Sequence, residues 1–253
     1  MKSNPVTLLG LSLLAGLLAG FLSMAPVRAD PASCEVPAYL LLTESPLPKV
    51  EAAIKGGRPL DILVVGSRSS SIATSEASAW PGRLQAALKG RLKVAVSVSV
   101  ELQIKKTAED VAASLVKLVE VKKPTLVIWQ TGTYDAMRSV DPEDFRAAVG
   151  EGVVALKEAG ADVVLMNLQY SPRTETMISA SPYLDNMRVV AQEYGVPLFD
   201  RFAIMRHWSD QGDFDLFSAG HGLDLAKRVH DCIGRALGKF AIDAARIEPS
   251  QQN

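Results

Sequence analysis

The chain has 253 residues, of which 48% are hydrophobic and 22% are charged, and its formal net charge is −1. These proportions are typical of one globular domain of roughly 200–220 residues with a substantial core, and they exclude a chain that is disordered by composition. Balanced charge, without a run of lysines or arginines, argues against a nucleic-acid partner and against a polybasic membrane-binding patch. Composition leaves the oligomeric state open.

The first thirty residues resemble a secretory signal peptide. Lys2 precedes an uncharged run, rich in leucine and glycine, over residues 6–27, and Val27-Arg28-Ala29 then provides the small or apolar residues that a signal peptidase reads. We therefore predict a signal peptide over residues 1–29, cleaved after Ala29, and a periplasmic or secreted protein. The alternative is an uncleaved anchor, because the run is long enough to cross a bilayer.

Two cysteines lie near the two ends of the exported part. Cys34 belongs to a lead segment over residues 30–59, and Cys232 lies near the end of the chain. In an oxidising compartment they form one candidate disulfide, which would tie the lead segment to the last helix. The alternative is two unpaired thiols.

The sequence carries no motif for a metal or a cofactor. Its three histidines and two cysteines show none of the close spacings that zinc requires. It contains neither a G-x-G-x-x-G fingerprint nor a Walker pattern, so nucleotide binding is not predicted. We expect neither a metal nor a cofactor.

From residue 60 onwards, short apolar runs alternate with amphipathic patterns. Most of the apolar runs are nearly continuous in Val, Ile and Leu, as in strands buried on both faces. They predict five strands, over residues 62–65, 94–100, 126–129, 163–166 and 196–199. The amphipathic patterns predict helices over residues 81–88, 108–121, 142–159 and 182–194.

Helix starts are well marked in this region. Asp141 followed by Pro142 is a typical cap and first helical residue, and Thr107 with Asp110 resembles a capping box. Strands that alternate with helices indicate βαβ units, and therefore a parallel sheet with helices on both faces. We predict one such domain over residues 60–245, followed by a flexible tail over residues 246–253.

Polar, small-residue loops follow three of the predicted strands. They cover residues 66–71, 130–135 and 167–173. In open α/β sheets, ligands bind beyond the carboxyl ends of the strands, where such loops converge. We therefore predict a binding or catalytic site at this edge of the sheet.

Several of these segments together resemble the SGNH, or GDSL-type, ester hydrolases. ILVVGSRSSS (residues 62–71) stands where that family has its Gly-Asp-Ser or Gly-Ser-Ser block, and WPGRL (80–84) resembles the helix start that follows it. LVIWQTGTYDA (126–136) resembles the block ending in Gly-x-Asn-Asp, while VVLMNLQYSPR and LFDRFAIMRHW resemble later segments of an exported bacterial subgroup. The resemblance spans about residues 60–237. It implies a three-layer α/β/α sandwich with a mainly parallel five-stranded sheet, and hydrolysis of an ester.

The resemblance places the nucleophile in the serine-rich loop. Aligned without a gap, the family's serine falls on Arg68; with one residue inserted after Ser67, it falls on Ser69. We therefore predict Ser69 as the nucleophile, with Ser67 as the alternative. Arg68 is a candidate to hold an anionic group of the substrate, because guanidinium groups bind carboxylates well.

The family's oxyanion donors are altered in this chain. Gly132 and Asp135 match the Gly-x-Asn-Asp block, but Tyr134 replaces its asparagine. A tyrosine hydroxyl can donate to an oxyanion, with a reach that differs from that of an amide. Residues 96–101 supply no glycine for the family's other donor.

The segment that carries the catalytic base departs most from the family's pattern. The family carries Asp-x-x-His before its last helix, whereas this chain reads His221-Gly222-Leu223-Asp224, with acid and base exchanged. His221 is one candidate base, and His230 is the other. For each of them the alternative is a capping or surface histidine.

Two functions remain open from the sequence. One is an exported hydrolase of a small-acyl or carbohydrate ester, acting through a covalent intermediate on Ser69. The other is a protein without catalytic activity that keeps the cleft to bind a glycan or an acyl chain in the cell envelope. A histidine nitrogen within reach of Ser69 would favour the enzyme.

Overall fold

A computed structural model describes residues 34–73, 75–216 and 222–248. All of them belong to one compact unit, Ala32–Asn253. The predicted signal peptide over residues 1–29 and the candidate base His221 lie outside the described residues, and the predicted tail is described only as far as residue 248.

Five strands, all parallel, form the sheet of the described residues. β3 and β4 are buried throughout and β1 at all but one residue, whereas β2, an edge strand, alternates valine with serine. The order is β2-β1-β3-β4-β5, and register pairs such as Val64 with both Val100 and Ile128 align the strand ends. The strands are β1 Leu60–Gly66, β2 Val96–Leu102, β3 Leu126–Gln130, β4 Asp162–Met166 and β5 Leu198–Phe199.

The helices begin where the capping signals predict. Thr107 and Asp110 form the expected capping box, and the Asp141 side chain accepts from the amide of Glu143. The α-helices of the described residues are α1 Pro48–Lys55, α2 Trp80–Lys89, α3 Ala108–Lys122, α4 Thr133–Arg138, α5 Pro142–Glu158, α6 Pro172–Met177, α7 Ser181–Tyr194, α8 Arg201–Asp210 and α9 Gly222–Ala244. Four of them, α2, α3, α5 and α7, match the four predicted helices within two residues at each end.

Helices cover both faces of the sheet. In one layer α2 packs along α9, and in the other α5 packs between α3 and α7. Gly152 permits the close approach of α5, because a Cβ at this position would collide with the ring of Trp129 on β3. The predicted three-layer α/β/α sandwich with a parallel five-stranded sheet is thereby confirmed.

The lead segment is fastened to the helical layer of α9. Cys34 and Cys232 form a disulfide, and the indole nitrogen of Trp208 donates to the carbonyl of Glu35 at 2.9 Å. Disulfides persist in oxidising compartments, so this bond fits an extracellular or periplasmic location. Among the residues described, no helix is both long and apolar enough to span a membrane.

Candidate active site

The serine-rich loop folds back tightly on the end of β1. Its residues Arg68–Ser70 form one 3-10 turn, in which the Ser70 amide donates to the carbonyl of Ser67 at 2.9 Å. Gly66 permits this turn, because a Cβ there would lie 3.0 Å from the Ser70 Cβ and even closer to its hydroxyl. The loop therefore presents Ser67 and Ser69 at the carboxyl edge of the sheet while burying Ser70.

Gln130, the last residue of β3, is the hydrogen-bonding centre of this loop. Its side-chain oxygen accepts from the Ser70 hydroxyl at 2.7 Å and from the Ser67 amide at 3.2 Å, and lies 3.4 Å from the Ser69 hydroxyl. Its amide nitrogen donates to the Ser67 hydroxyl at 3.1 Å. Because β1 and β3 are adjacent, a buried glutamine at the end of one strand fixes the loop that follows the other.

The Ser69 hydroxyl is partly exposed and surrounded by polar groups. It lies 3.1 Å from the Ser67 hydroxyl, and both terminal guanidinium nitrogens of Arg201 donate to it at 3.3 Å. An oxygen that accepts from a cation is better able to carry negative charge. The structure thus brings together two predicted residues, Ser67 and Ser69, with an arginine that the sequence did not indicate.

Arg201 is buried, with 2% of its surface exposed. Within the described part of the chain it forms no ion pair, and its Nε has no acceptor. Burial lowers the pKa of the Arg201 guanidinium to about 9, which leaves it charged at neutral pH. A buried guanidinium without a carboxylate is unusual, because desolvating a charge costs several kcal/mol.

Asn167, which follows β4, positions the segment that carries Arg201. Its side-chain oxygen accepts from the amide of Phe202 at 2.9 Å, and its side-chain nitrogen donates to Asp200 at 2.7 Å. Asp200 in turn caps the start of α8. Three parallel strands, β1, β3 and β4, therefore contribute to the placement of one hydroxyl and one guanidinium.

His230 lies near Arg201 but caps a helix. Its Nδ1 accepts from the backbone amide of Trp80 at the start of α2, at 2.9 Å. In a neutral ring that bond leaves the proton on Nε2. Burial, and then the charge of Arg201, lower the pKa of His230 to about 4, so the ring is neutral at pH 7. Both His230 and Ser69 are among the described residues, and no hydrogen bond joins them.

The loop that follows β3 serves the fold as well as the site. Gly132 has a φ of +95°, and a Cβ there would lie 2.6 Å from a methyl of Leu168. Asp135 is buried and accepts from the amide of Ala108 at 2.7 Å, at the start of α3. Burial raises the pKa of the Asp135 carboxyl, against the opposing effect of its backbone donors. Asp135 thereby acts as a remote cap of α3.

The remaining predicted residues lie around the loop. Tyr134 and Gly132 line a cavity of about 20 Å³ with Ser67 and Gln130, whereas Arg68 is exposed. The carboxylate of Asp224 is 92% exposed, 4.0 Å from Lys227, so it does not orient a buried base. His221 lies outside the described residues.

Gln130, Asn167 and Arg201 are the site residues that sequence reasoning missed. Gln130 and Asn167 each carried a signal, because they are the first polar residues after a strand in loops that were predicted to converge. Arg201 carried a weaker one, because it and Asp200 are two charged residues within the otherwise apolar stretch LFDRFAIM. Among the residues described, no group of three histidine, cysteine or carboxylate side chains could hold a metal ion.

Comparison with known proteins relates the chain to lipases and esterases. The model of a family described as the non-GDSL lipase-like family matches residues 33–247, whereas no curated protein matches the chain.

Solved structures share the fold at low identity. TesA is 20% identical with a TM-score of 0.55, over 71% of this chain and 99% of TesA. A lipase/acylhydrolase from Enterococcus faecalis is 18% identical with a TM-score of 0.54, over 75% and 98%. A catalytic mutant of Axe2, an acetylxylan esterase from Geobacillus stearothermophilus, is 18% identical with a TM-score of 0.56, over 75% and 95%. These matches confirm the resemblance to SGNH, or GDSL-type, hydrolases. At such low identities the solved structures are evidence for the fold alone.

Proposed function

Because the chain belongs to the non-GDSL lipase-like family, we propose that it is an exported hydrolase of a carboxylic ester, with Ser69 as its nucleophile. The observation that carries the proposal is the environment of the Ser69 hydroxyl. It is partly exposed at the edge of the sheet where ligands bind, and two guanidinium donors at 3.3 Å stabilise negative charge on its oxygen.

The proposed reaction is a two-step acyl transfer. The Ser69 oxygen attacks the ester carbon while its proton passes to a base, and the alcohol leaves as the carbon–oxygen bond of the ester breaks and the base returns the proton. Water then attacks the acyl-serine in the same way, which releases the acid and restores Ser69. Arg201 and the hydroxyl of Tyr134 are the proposed donors to the tetrahedral oxyanion.

The proposed base is His221, with His230 as the second candidate. His230 Nδ1 is occupied by the Trp80 amide, so its neutral ring offers an N–H at Nε2 rather than a free lone pair. A base must present an unprotonated nitrogen to the serine proton. His230 is therefore better suited to donate to the substrate than to activate Ser69.

The proposed substrate is a small-acyl or carbohydrate ester. The cavity beside Ser67 and Gln130 is small, about 20 Å³, which is room for about one water molecule, so it leaves no space for a long acyl chain. A structural neighbour described as an acetylxylan esterase is in keeping with this size. No part of the described cleft distinguishes one alcohol from another.

A binding protein without catalytic activity is the second candidate. It is favoured by the same contact that carries the first proposal, because a hydroxyl that accepts from two guanidinium nitrogens offers less free electron density for attack. In that case the cleft would hold a glycan or an acyl ligand and release it unchanged.

Mass spectrometry after exposure to a fluorophosphonate separates the two candidates. An activated serine should form one stoichiometric adduct, mapped to Ser69 in the native protein, absent from Ser69→Ala and retained in Ser67→Ala. His221→Ala should slow the labelling by on the order of 100-fold or more, and His230→Ala by less. A folded, monodisperse sample without an adduct on any serine would rule out the covalent mechanism and favour the binding protein.

Export is proposed from the N-terminal sequence and fits the disulfide. Expression of the full chain in a bacterium should give a periplasmic protein whose intact mass corresponds to a chain that begins at Asp30. A protein that retains residues 1–29 in the membrane fraction would favour the uncleaved anchor.

A further inference from the structure

The buried charge of Arg201 has no carboxylate partner in the described structure. Among the described residues, only Ser69 accepts from its terminal nitrogens, at 3.3 Å each, and its Nε has no acceptor. Neutral hydroxyls stabilise a buried cation poorly compared with a carboxylate. The described part of the fold therefore holds a guanidinium in a position where none of its own residues supplies a matching anion.

Two carboxylates at this edge of the sheet have other partners. Asp200, the preceding residue, is paired with Arg188 at 3.1 Å and caps α8. Asp135, the buried acid at the same edge of the sheet, accepts from the start of α3 instead. His230 on α9 is close enough to Arg201 for the guanidinium charge to lower its pKa, and its ring is neutral at pH 7.

The arginine is also held rigidly. Asn167 accepts from the Phe202 amide and donates to Asp200, so both residues that flank Arg201 are fixed. A pre-ordered guanidinium loses little conformational freedom when it binds an oxyanion, which is the condition for a specific site.

We infer that Arg201, with the hydroxyls of Ser67 and Ser69, forms a binding site for the carboxylate of a small ligand. Both terminal guanidinium nitrogens face the Ser69 oxygen, so the edge of Arg201 that can bind a carboxylate through two parallel N–H···O bonds is directed at this position. Rotation of the Ser69 side chain frees both donors, and the two hydroxyls then donate to the same anion. One guanidinium matches one negative charge, which favours a carboxylate over a phosphate dianion.

This inference does not require Ser69 to be a nucleophile. A hydrolase would use the site for the acid that it releases, whose carboxylate takes the place of the oxyanion, and a binding protein would use it to hold an acidic ligand. In both cases the ligand is a carboxylate-bearing molecule that reaches the partly exposed side of Ser69.

Isothermal titration of the mature protein with sodium acetate, at constant ionic strength and pH 7, tests the site. We expect saturable binding to one site, weakened at least 10-fold in Arg201→Gln. Arg206→Gln is the matched control, because Arg206 lies on the same helix, is exposed and pairs with Glu175 at 3.4 Å. This variant removes the same charge and should bind acetate as the native protein does.

Ser69→Asp is a second variant that does not depend on the folding of Arg201→Gln. Its carboxylate should occupy the guanidinium, abolish acetate binding and raise the melting temperature. Ser69→Ala should lose any hydrolysis and bind acetate more weakly than the native protein but still saturably, because Arg201 and Ser67 remain. Failure of the proposed function and failure of this inference therefore give different results.

Three outcomes would overturn the inference. One is the absence of saturable acetate binding throughout the millimolar range, and another is equal binding by the native protein and Arg201→Gln. The third is Arg201-dependent binding of phosphate that is tighter than that of acetate, which would contradict the assignment to a carboxylate.

Discussion

Two buried ionisable groups of opposite sign, Asp135 and Arg201, lie at the same edge of the sheet and differ in their hydrogen-bond partners. Asp135 is 1% exposed and accepts from the Ala108 amide at 2.7 Å, at the start of α3. Arg201 is 2% exposed and has only the Ser69 hydroxyl as an acceptor among the described residues. The first group has a backbone donor on its Oδ1, although its Oδ2 has no hydrogen-bond partner, whereas the second has no partner of opposite sign in the described chain.

The difference separates a structural charge from a functional one. Asp162 at the other end of the sheet behaves like Asp135, since its carboxylate accepts from the amides of Lys49 and Val50 at the start of α1. Helix amides stabilise a buried carboxylate through hydrogen bonds and the helix dipole. Arg201 has no such compensation among the residues that the structure describes, and buried groups without partners concentrate at functional sites.

The largest expected effect concerns His230, which faces Arg201. Because its pKa is lowered from 6.5 to about 4 in the folded protein, the unfolded chain binds a proton more readily than the folded one. The stability that follows from this shift is present above about pH 6.5 and is lost as the pH falls towards 4, by roughly 3 kcal/mol at most.

Urea denaturation between pH 4.5 and 7.5 measures this effect. His230→Asn keeps an acceptor for the Trp80 amide but does not titrate, so its stability should depend less steeply on pH. Arg201→Gln should raise the pKa of His230 and flatten the dependence in part. Equal slopes for the native protein and His230→Asn would show that His230 is not the group responsible.

Gly132→Ala should destabilise the loop that carries Asp135 by about 2 kcal/mol, because its φ of +95° and the methyl of Leu168 at 2.6 Å both oppose a Cβ. Gly195→Ala is the matched control, since its φ of +61° is also positive but nothing lies within 4 Å of its Cβ. We expect a loss of about 1 kcal/mol there. Equal losses in thermal unfolding would mean that the contact with Leu168 contributes nothing.

Arg201→Met should leave the stability unchanged or increase it by about 1–2 kcal/mol, because it replaces an unpaired buried charge with an apolar side chain of similar length. Arg206→Met, an exposed change on the same helix, should stay within about 0.5 kcal/mol of the native protein. A loss of stability in Arg201→Met alone would show that Arg201 serves the fold, and the contrast with Asp135 would disappear.

The smallest effects are expected at Asp135. Asp135→Ala removes the acceptor for the Ala108 amide and should cost about 1 kcal/mol. Asp135→Asn keeps an acceptor and removes a carboxyl group whose pKa is raised by burial, so it should change the free energy of unfolding little at pH 7. Chemical denaturation of the two variants side by side gives the comparison, and a larger loss for Asp135→Asn would contradict it.

The strands and long helices were predictable because their signals are local. The run over residues 62–65 became β1 Leu60–Gly66, and the helix start at Pro142 was correct. Other details were not: β2 is Val96–Leu102 instead of residues 94–100, and the short helices α1, α4 and α6 were not predicted. In addition, β5 is only Leu198–Phe199, and α8 begins at Arg201, two residues after that strand. The apolar and aromatic residues of LFDRFAIM fit a strand or a buried helix equally well, so periodicity could not place the boundary.

The site was predictable only in part. Parallel strands bring their carboxyl ends to one edge, and this rule alone predicts that Ser67, Ser69 and Gly132 lie in neighbouring loops. It does not indicate Gln130 as the group that holds the serines, nor the orientation of His230 towards Trp80. Each depends on the direction of a side chain, which strand order does not fix.

By itself the sequence determined the fold class, the capping of the helices and the edge of the sheet at which the loops meet, because hydrophobic period, caps and turn residues act over a few positions. Only the tertiary structure decided which charge meets the serine. Arg201 and Ser69 are 132 residues apart in the sequence, and no sequence pattern indicates that they are in contact. It arises because β1, β3 and β4 are packed side by side, so that Gln130 and Asn167 fix the two side chains towards each other.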